Sequence, residues 1–350
     1  MHDATSSMAR FEQLLHRYNT TLAQSLSDAS LVPEFIANGE NTKAPRQLCQ
    51  TRGIIYCVHM YRQFGDQAAA QRAADIYHAL QCEYLVARAC GERTCYAPTP
   101  SSDGGDLYEL AFLLNAQVHL YQLRAALLDE TQLDADMATT IEAIMDVPTA
   151  AIFKPREPGE FLELNAAMHL FEALCLRLHL GPHTAVSSKV DELLAYVDRW
   201  FYDDARGMLA ERITSEGSLL EYDLGHNYEW ASLLWLNDNL ALNFRRLNPA
   251  RMAAAAETIA QTHFEPAMVA HQLDASASPM DPVARIWVSL ERARALALAE
   301  DARADDVLAR VLAHFFPDGL PEEYSGKRGP IKSTTGYHVI ECYMGIMRAA

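Results

Sequence analysis

Apolar residues recur at intervals of three and four along most of the chain, and alternating β-branched runs are scarce. That is the pattern of amphipathic helices rather than strands. The spacing predicts helices near 5–30, 43–65, 67–89, 105–127, 132–146, 160–180, 185–202, 220–246, 249–263, 280–299, 301–315 and 334–349. Breakers separate them: NGEN, FGD, PTPSSDGG, FKPREPGE, HLGPH, RLNP and FPDGLPEEYSGKRGP. MYRQFGDQAAAQRAADIYHAL and LRLHLGPHTAVSSKVDELLAYV each give a helix, a short glycine-containing turn and a second amphipathic helix; LNFRRLNPARMAAAAETIA does the same without the glycine. A helix hairpin recurring about every 50–60 residues is a repeat that buries its apolar faces only against its neighbours. Six such hairpins predict an all-α fold, an (α/α)6 barrel of about twelve helices in a single domain over residues 1–350, with an open solenoid as the alternative.

Five helices interrupt the apolar pattern with polar side chains. RQLCQTRGIIYCVHMY embeds Arg52, and DLYELAFLLNAQVHLYQL opens with Tyr108 on an apolar face. LNAAMHLFEALCLRLHL carries Asn165 and His169 four apart, and LEYDLGHNYEWASLLWL carries His226 and Glu229 three apart, so each pair shares a helix face. TTGYHVIECYMGIM brings His338, with Glu341 three residues on. Polar groups on a core face are costly unless something polar meets them. Each has a plain reading alone: Arg52 snorkelling to the surface, the Tyr108 hydroxyl reaching water, Asn165 and His169 bonding to each other. His59, His78, His119 and His179 read as hydrogen-bonded core residues. Together the five form a series, because they sit on the second, fourth, sixth, eighth and twelfth predicted helices. All the even-numbered helices but the tenth would then point polar groups into one cavity, which favours a closed ring over a solenoid.

Composition removes several functional classes. The formal charge of −17 argues against nucleic acid, whose binding needs a basic surface. No apolar run free of charges reaches the roughly 18 residues of a membrane span. The opening MHDATSSMARFEQLLHRY lacks the basic start and apolar centre of a secretory signal, so the cytoplasm is the expected compartment. Of seven cysteines, Cys49, Cys57, Cys82, Cys175 and Cys342 fall in helical segments and read as buried reduced thiols. Cys90 and Cys95 in CGERTC are a close pair with no second pair to complete a zinc site, and are taken as non-functional. Neither a cofactor nor a metal is expected.

Taken in order, the five segments resemble those of the N-acylglucosamine 2-epimerase superfamily, which includes cellobiose 2-epimerases and D-mannose isomerases. GHNYEW resembles its G-H-x-x-E-W signature, NAAMHLFEA its N-x-x-M-H-x-x-E-A, and DLYELAF its L-Y-x-x-A-F. Thr51–Arg52 falls where the family has its arginine, and GYHVIE is similar to the P-Y-H ending of the isomerases and cellobiose epimerases. The resemblance spans roughly residues 40 to 350 and implies an (α/α)6 barrel acting on free sugars. It implies His226 and His338 as the acid/base pair, Glu229 orienting His226, and Arg52, Tyr108, Asn165 and His169 holding sugar hydroxyls. Leu162, Leu164 and Ala167 stand where many members have polar or larger side chains, and the 90–105 loop lacks the aromatic-rich Gly-Gly-Phe pattern.

The implied chemistry suits these residue types. Moving a carbonyl between C1 and C2 needs a base with a pKa near neutral and donors for the enediolate oxygens. The reading is a sugar isomerase interconverting an aldose and its ketose, of the mannose/fructose type. The alternatives are a 2-epimerase of the N-acylglucosamine or cellobiose type and a non-catalytic sugar-binding protein; a glycosidase of this fold would need two opposed carboxylates. The expected partner is a small monosaccharide, and a homodimer is left open. Lys327, Arg328 and Lys332 in SGKRGPIK read as a solvated basic loop, with contact to an anionic sugar group as the alternative.

Overall fold

The computed structural model describes residues 7–26, 31–42, 44–87, 94–96, 107–123, 127–154, 159–264, 268–281 and 283–349. Six helices form an outer ring: α1 (Ser7–Ser25), α3 (Gln67–Tyr84), α5 (Glu130–Met145), α7 (Thr184–Trp200), α9 (Pro249–His263) and α11 (Ala304–Phe315). Six more form an inner ring: α2 (Gln47–Phe64), α4 (Leu107–Leu120), α6 (Asn165–His179), α8 (Leu224–Leu236), α10 (Ile286–Leu298) and α12 (Thr335–Ala349). Consecutive inner helices pack side by side, and α12 returns against α2. The ring is closed, and the fold is an (α/α)6 barrel.

Sequence separates the two rings. Outer helices carry one apolar stripe, as in α7, which buries Val186, Val190, Leu193, Leu194 and Val197. Inner helices are covered on nearly all sides: α2 is buried at every position from Gln47 to Met60, and α10 from Ile286 to Leu296. Local signals set the ends. Gly65, at φ 68°, ends α2 in the left-handed conformation and turns the chain into α3. Asn248 caps α9 through the Arg251 amide with Pro249 in the first turn, and Asp223 caps α8 by accepting from the His226 amide at 3.0 Å.

The strands were not foreseen. β1 (Phe35–Ala37) pairs with β9 (Ile331–Lys332), joining the stretches before α2 and α12. β2 (Leu85–Ala87) pairs with β3 (Thr94–Tyr96). A larger antiparallel sheet runs β4 (Phe161–Glu163), β6 (Met208–Thr214), β7 (Leu219–Asp223), β8 (Gln272–Asp274), with β5 (Tyr202–Asp203) also on β6. It lies at the end of the barrel where the inner helices begin. The helices expected over 160–180 and 220–246 therefore start later, at Asn165 and Leu224, after β4 and β7. The second also stops at Leu236, followed by a 3-10 turn.

Cys49, Cys57, Cys175 and Cys342 are buried and free, but Cys82 lies exposed on α3, whose stripe faces the other way. His78 and His179 are likewise exposed rather than core. Cys90 lies outside the described residues, as does most of the 90–105 loop. No helix among the described residues is long and apolar enough to cross a membrane.

Candidate active site

A cavity of about 350 Å³ opens at the sheet-bearing end of the inner ring, within the size range of small-molecule pockets. Arg52, Tyr108, Asn165, His169, His226 and His338 all line it. They come together because the inner helices start at this end and each carries its polar residue in its first turns. Glu229 does not reach the cavity: one turn further along α8, it is wholly buried and neither carboxyl oxygen has a hydrogen-bond partner.

The partner of His226 is therefore Glu211, not Glu229. His226 Nδ1 donates to Glu211 Oε2 at 2.8 Å, with Asp223 Oδ2 at 3.9 Å. Glu211 reaches this position through a β-bulge: Ala210 faces Tyr222 and Arg212 faces Glu221, so Glu211 is the extra residue on β6. Adjacent strand residues normally point to opposite faces, and the bulge lets Glu211 and Arg212 both face the cavity. Arg212 Nη2 donates to Glu163 at 2.7 Å, and its Nη1 lies 3.2 Å from Glu221, tying three strands by charge.

His338 is held in the same manner from another wall. Its Nδ1 donates to Glu291 Oε1 at 3.0 Å, and Arg294 Nη1 holds the other oxygen of Glu291 at 3.2 Å. The carboxyl partner keeps the ring proton on Nδ1 and leaves Nε2 for the cavity. Trp287 lies between the two imidazoles, its ring 5.1 Å from His226 and 5.5 Å from His338. Gly225 makes room for it, since a Cβ there would sit 2.3 Å from the indole. The tenth helix thus joins the series through Trp287 and Glu291.

The environments push the two histidines apart. Burial disfavours a charged His226, but the carboxylates of Asp223 and Glu211 outweigh it and hold the imidazolium up to about 10. Burial also raises the Glu211 carboxyl, while its bond to His226 opposes that. With Glu211 accepting from Nδ1 and the Asp223 carboxylate alongside, the geometry supports the proton on the imidazole. His338 is lowered, chiefly by burial, which outweighs what the Glu291 hydrogen bond returns, and the nearby Arg52 charge lowers it further.

The opposite wall is aromatic and cationic. Arg52, 7 % exposed, lies 4.5 Å from the Phe112 ring centre and 4.8 Å from that of Tyr337. It donates to the Tyr108 hydroxyl at 3.1 Å and to the Thr334 carbonyl at 3.4 Å. His169 packs edge-on against Tyr108 and donates from Nδ1 to Glu172 at 3.3 Å. Burial, then the charges of Arg52, His226 and His338, keep it neutral. Asn165 Oδ1 is buried with no partner, an acceptor that a ligand donor would satisfy. Of the basic loop, Lys327 and Arg328 point to solvent, while Lys332 lines the cavity with its Nζ 3.7 Å from Glu323.

Among the described residues, two groups could offer three ligand atoms to a metal: Glu229, Glu291 and His338, and, farther along the barrel, His59, His119 and Glu341. In the first, His338 and Glu291 already bond to each other and Arg294 occupies Glu291. Burial and the facing Glu291 also push Glu229 well above the ordinary carboxyl range.

A family model described as N-acylglucosamine 2-epimerase (GlcNAc 2-epimerase) matches residues 34–316. No curated protein matches the sequence at a significant level. Among solved structures, a D-mannose isomerase superposes with a TM-score of 0.74 at 14% identity, covering 97% of each chain. A cellobiose 2-epimerase from Bacillus thermoamylovorans B4167 gives 0.77 at 13%, covering 98% of this chain and 99% of that one. A sugar epimerase from a ruminal bacterium gives 0.75 at 14%, with coverage of 98% and 99%. At these identities the likeness is one of fold.

Proposed function

The chain belongs to the N-acylglucosamine 2-epimerase family, and on that premise we propose that it is a sugar isomerase interconverting an aldose and its ketose, of the mannose/fructose type. The observation that carries this reading is the pair of imidazoles flanking Trp287, each anchored through Nδ1 to a carboxyl group and each presenting Nε2 to one cavity. Their opposed environments supply an acid, His226, and a base, His338.

In this proposal His226 protonates the ring oxygen as the O1 hydroxyl gives up its proton to solvent, which opens the sugar, and His226 regains a proton from solvent. His338 Nε2 then takes the proton from C2, leaving an enediolate with its charge on O1. The charge that develops on oxygen is met by the Arg52 guanidinium and the Tyr108 hydroxyl. The proton on O2 passes to O1, and His338 returns its proton to C1 as the carbonyl forms at C2, which gives the ketose. Neutral His169 and Asn165 would position hydroxyls, and the flat face of Trp287 suits the apolar face of a sugar ring.

The flanking histidines also suit a 2-epimerase, in which one removes the C2 proton and the other delivers a proton to the opposite face. Reversible epimerisation asks the two to exchange roles, however, and a ring held up to about 10 makes a poor base at neutral pH. The deciding experiment uses C2-deuterated mannose. Fructose carrying part of its deuterium at C1 supports transfer by one base on one face. A C2-epimeric aldose with solvent hydrogen at C2, and no ketose, overturns the isomerase reading in favour of the epimerase. Binding without either product favours a sugar-binding protein.

A further inference from the structure

We propose that His59, His119 and Glu341 form a binding site for a divalent transition metal of the zinc class, at the end of the inner ring away from the sugar cavity. The three come from α2, α4 and α12, and their ligand atoms all lie within 4.8 Å of one another. Position along the helices sets the depth: His59 follows Arg52 by two turns on α2, and His119 follows Tyr108 by three on α4, roughly 10 to 16 Å farther along.

Packing alone does not account for the cluster. Two buried imidazoles lie with ring centres 4.6 Å apart, and His59 Nε2 is 2.9 Å from Glu341 Oε1. Each ring also keeps a buried Nδ1 with no hydrogen-bond partner. Unpartnered buried polar atoms are costly, and a pair of them on adjacent rings beside a carboxylate calls for a ligand.

The donor set matches borderline metals. Imidazole nitrogen with one carboxylate oxygen suits zinc and its first-row neighbours better than magnesium or calcium, which favour all-oxygen sites. Glu341 meets His59 through one carboxyl oxygen and Arg294 through the other. Arg294 lies 3.7 Å from Oε2, on the far side of the carboxylate from the Oε1 that meets His59. That cation, with Arg62 and Arg348 on the same cavity wall, moderates affinity without blocking the ligand atoms. The adjoining cavity of about 520 Å³ offers access and space for a water as a fourth ligand.

The test uses the full chain stripped with a chelator and titrated with zinc chloride by calorimetry, with thermal unfolding as a second readout. One zinc per chain and a raised midpoint are expected, both lost in His119→Asn and Glu341→Gln and retained in the surface control His78→Asn. No zinc uptake by the wild type, or equal uptake by His119→Asn, overturns the proposal. Should the variants fail to fold, cobalt(II) added to the wild type serves instead: intense visible bands of low-coordinate cobalt are expected, and a spectrum no stronger than the free ion refutes the site. A parallel titration with inorganic phosphate covers the arginines; phosphate binding without zinc binding makes this an anion pocket and also refutes the proposal.

Discussion

Glu211→Gln is the most informative single substitution in the sugar cavity. It keeps the side chain's shape and removes the charge that His226 Nδ1 contacts at 2.8 Å. The rise of His226 from 6.5 to about 10 corresponds to a preference for the charged ring of roughly 5 kcal/mol. A hydrogen bond to a charged group contributes about 1.5–3 kcal/mol of that, or about one to two pH units, and Asp223 supplies the remainder. The alkaline limb of kcat/KM, set by loss of the His226 proton, should move from near 10 to about 8–9. At pH 9.5 the variant should then run roughly tenfold slower than wild type while remaining close to it at pH 7. The acid limb, set by His338, should stay in place, since Glu291 is untouched. Stability follows the same linkage. A histidine raised in the fold stabilises fully below its unfolded value of 6.5, and that contribution is lost as pH rises through about 10. In the variant the loss should be smaller and come earlier. Profiles of kcat/KM from pH 5 to 11, with denaturant unfolding at matched pH, measure both. An alkaline limb still near 10 in Glu211→Gln refutes the assignment.

His338→Asn should cost ~10²–10⁴-fold in turnover of cyclic and open-chain sugars alike, and retained activity would falsify His338 as the base. His226→Asn should keep substantial turnover on a short aldose that cannot cyclise, measured against mannose; equal losses on both contradict a ring-opening role. Glu229→Gln replaces a buried carboxyl that burial and Glu291 hold protonated, so it should lower kcat/KM less than about tenfold and leave the unfolding midpoint at pH 8 equal or higher; a clear drop in that midpoint counts against a neutral Glu229. Lys327→Ala combined with Arg328→Ala should change rates on neutral and anionic sugars by less than about twofold, because both side chains face solvent, and a selective loss on anionic sugars refutes this.

Whatever depended on helical period was legible in the sequence. Twelve helices could be placed because outer ones show a stripe and inner ones a nearly unbroken apolar run, and Arg52, Tyr108, His169, His226 and His338 stood out as interruptions of those runs. Glu211 had no such signal: it sits on a strand of seven residues, faces the cavity through a bulge, and meets His226 across a tertiary contact that no spacing rule describes. Glu229, three residues from His226, looked like the natural partner because helix neighbours meet at that spacing; the imidazole turns toward the sheet instead. Glu291 and Arg294 were visible as charges within IWVSLERARALAL, but a pair three apart reads equally well as a surface ion pair. His59 and His119 gave no hint of each other, since they lie on different helices.

The closure of the inner ring has a consequence for synthesis of the chain. Arg52 reaches the Thr334 carbonyl across 282 residues, Tyr18 donates to the Ser333 carbonyl across 315, and β1 pairs with β9. Gly336 admits Tyr18 so closely that a Cβ there would lie 2.6 Å from its ring. The cavity wall is thus shared by segments that leave the ribosome far apart in time. At ~5–20 residues per second, α2 waits roughly a quarter of a minute to a minute for α12, with the edge that packs on α12 uncovered although α3 and α4 already cover its other sides. During that interval the nascent chain is an open spiral exposing apolar helix edges, the species that chaperones hold and that aggregates when crowded. Slow translation of the stretch before α12 should therefore lower soluble yield more than the same delay placed after α2, where little ring has yet formed.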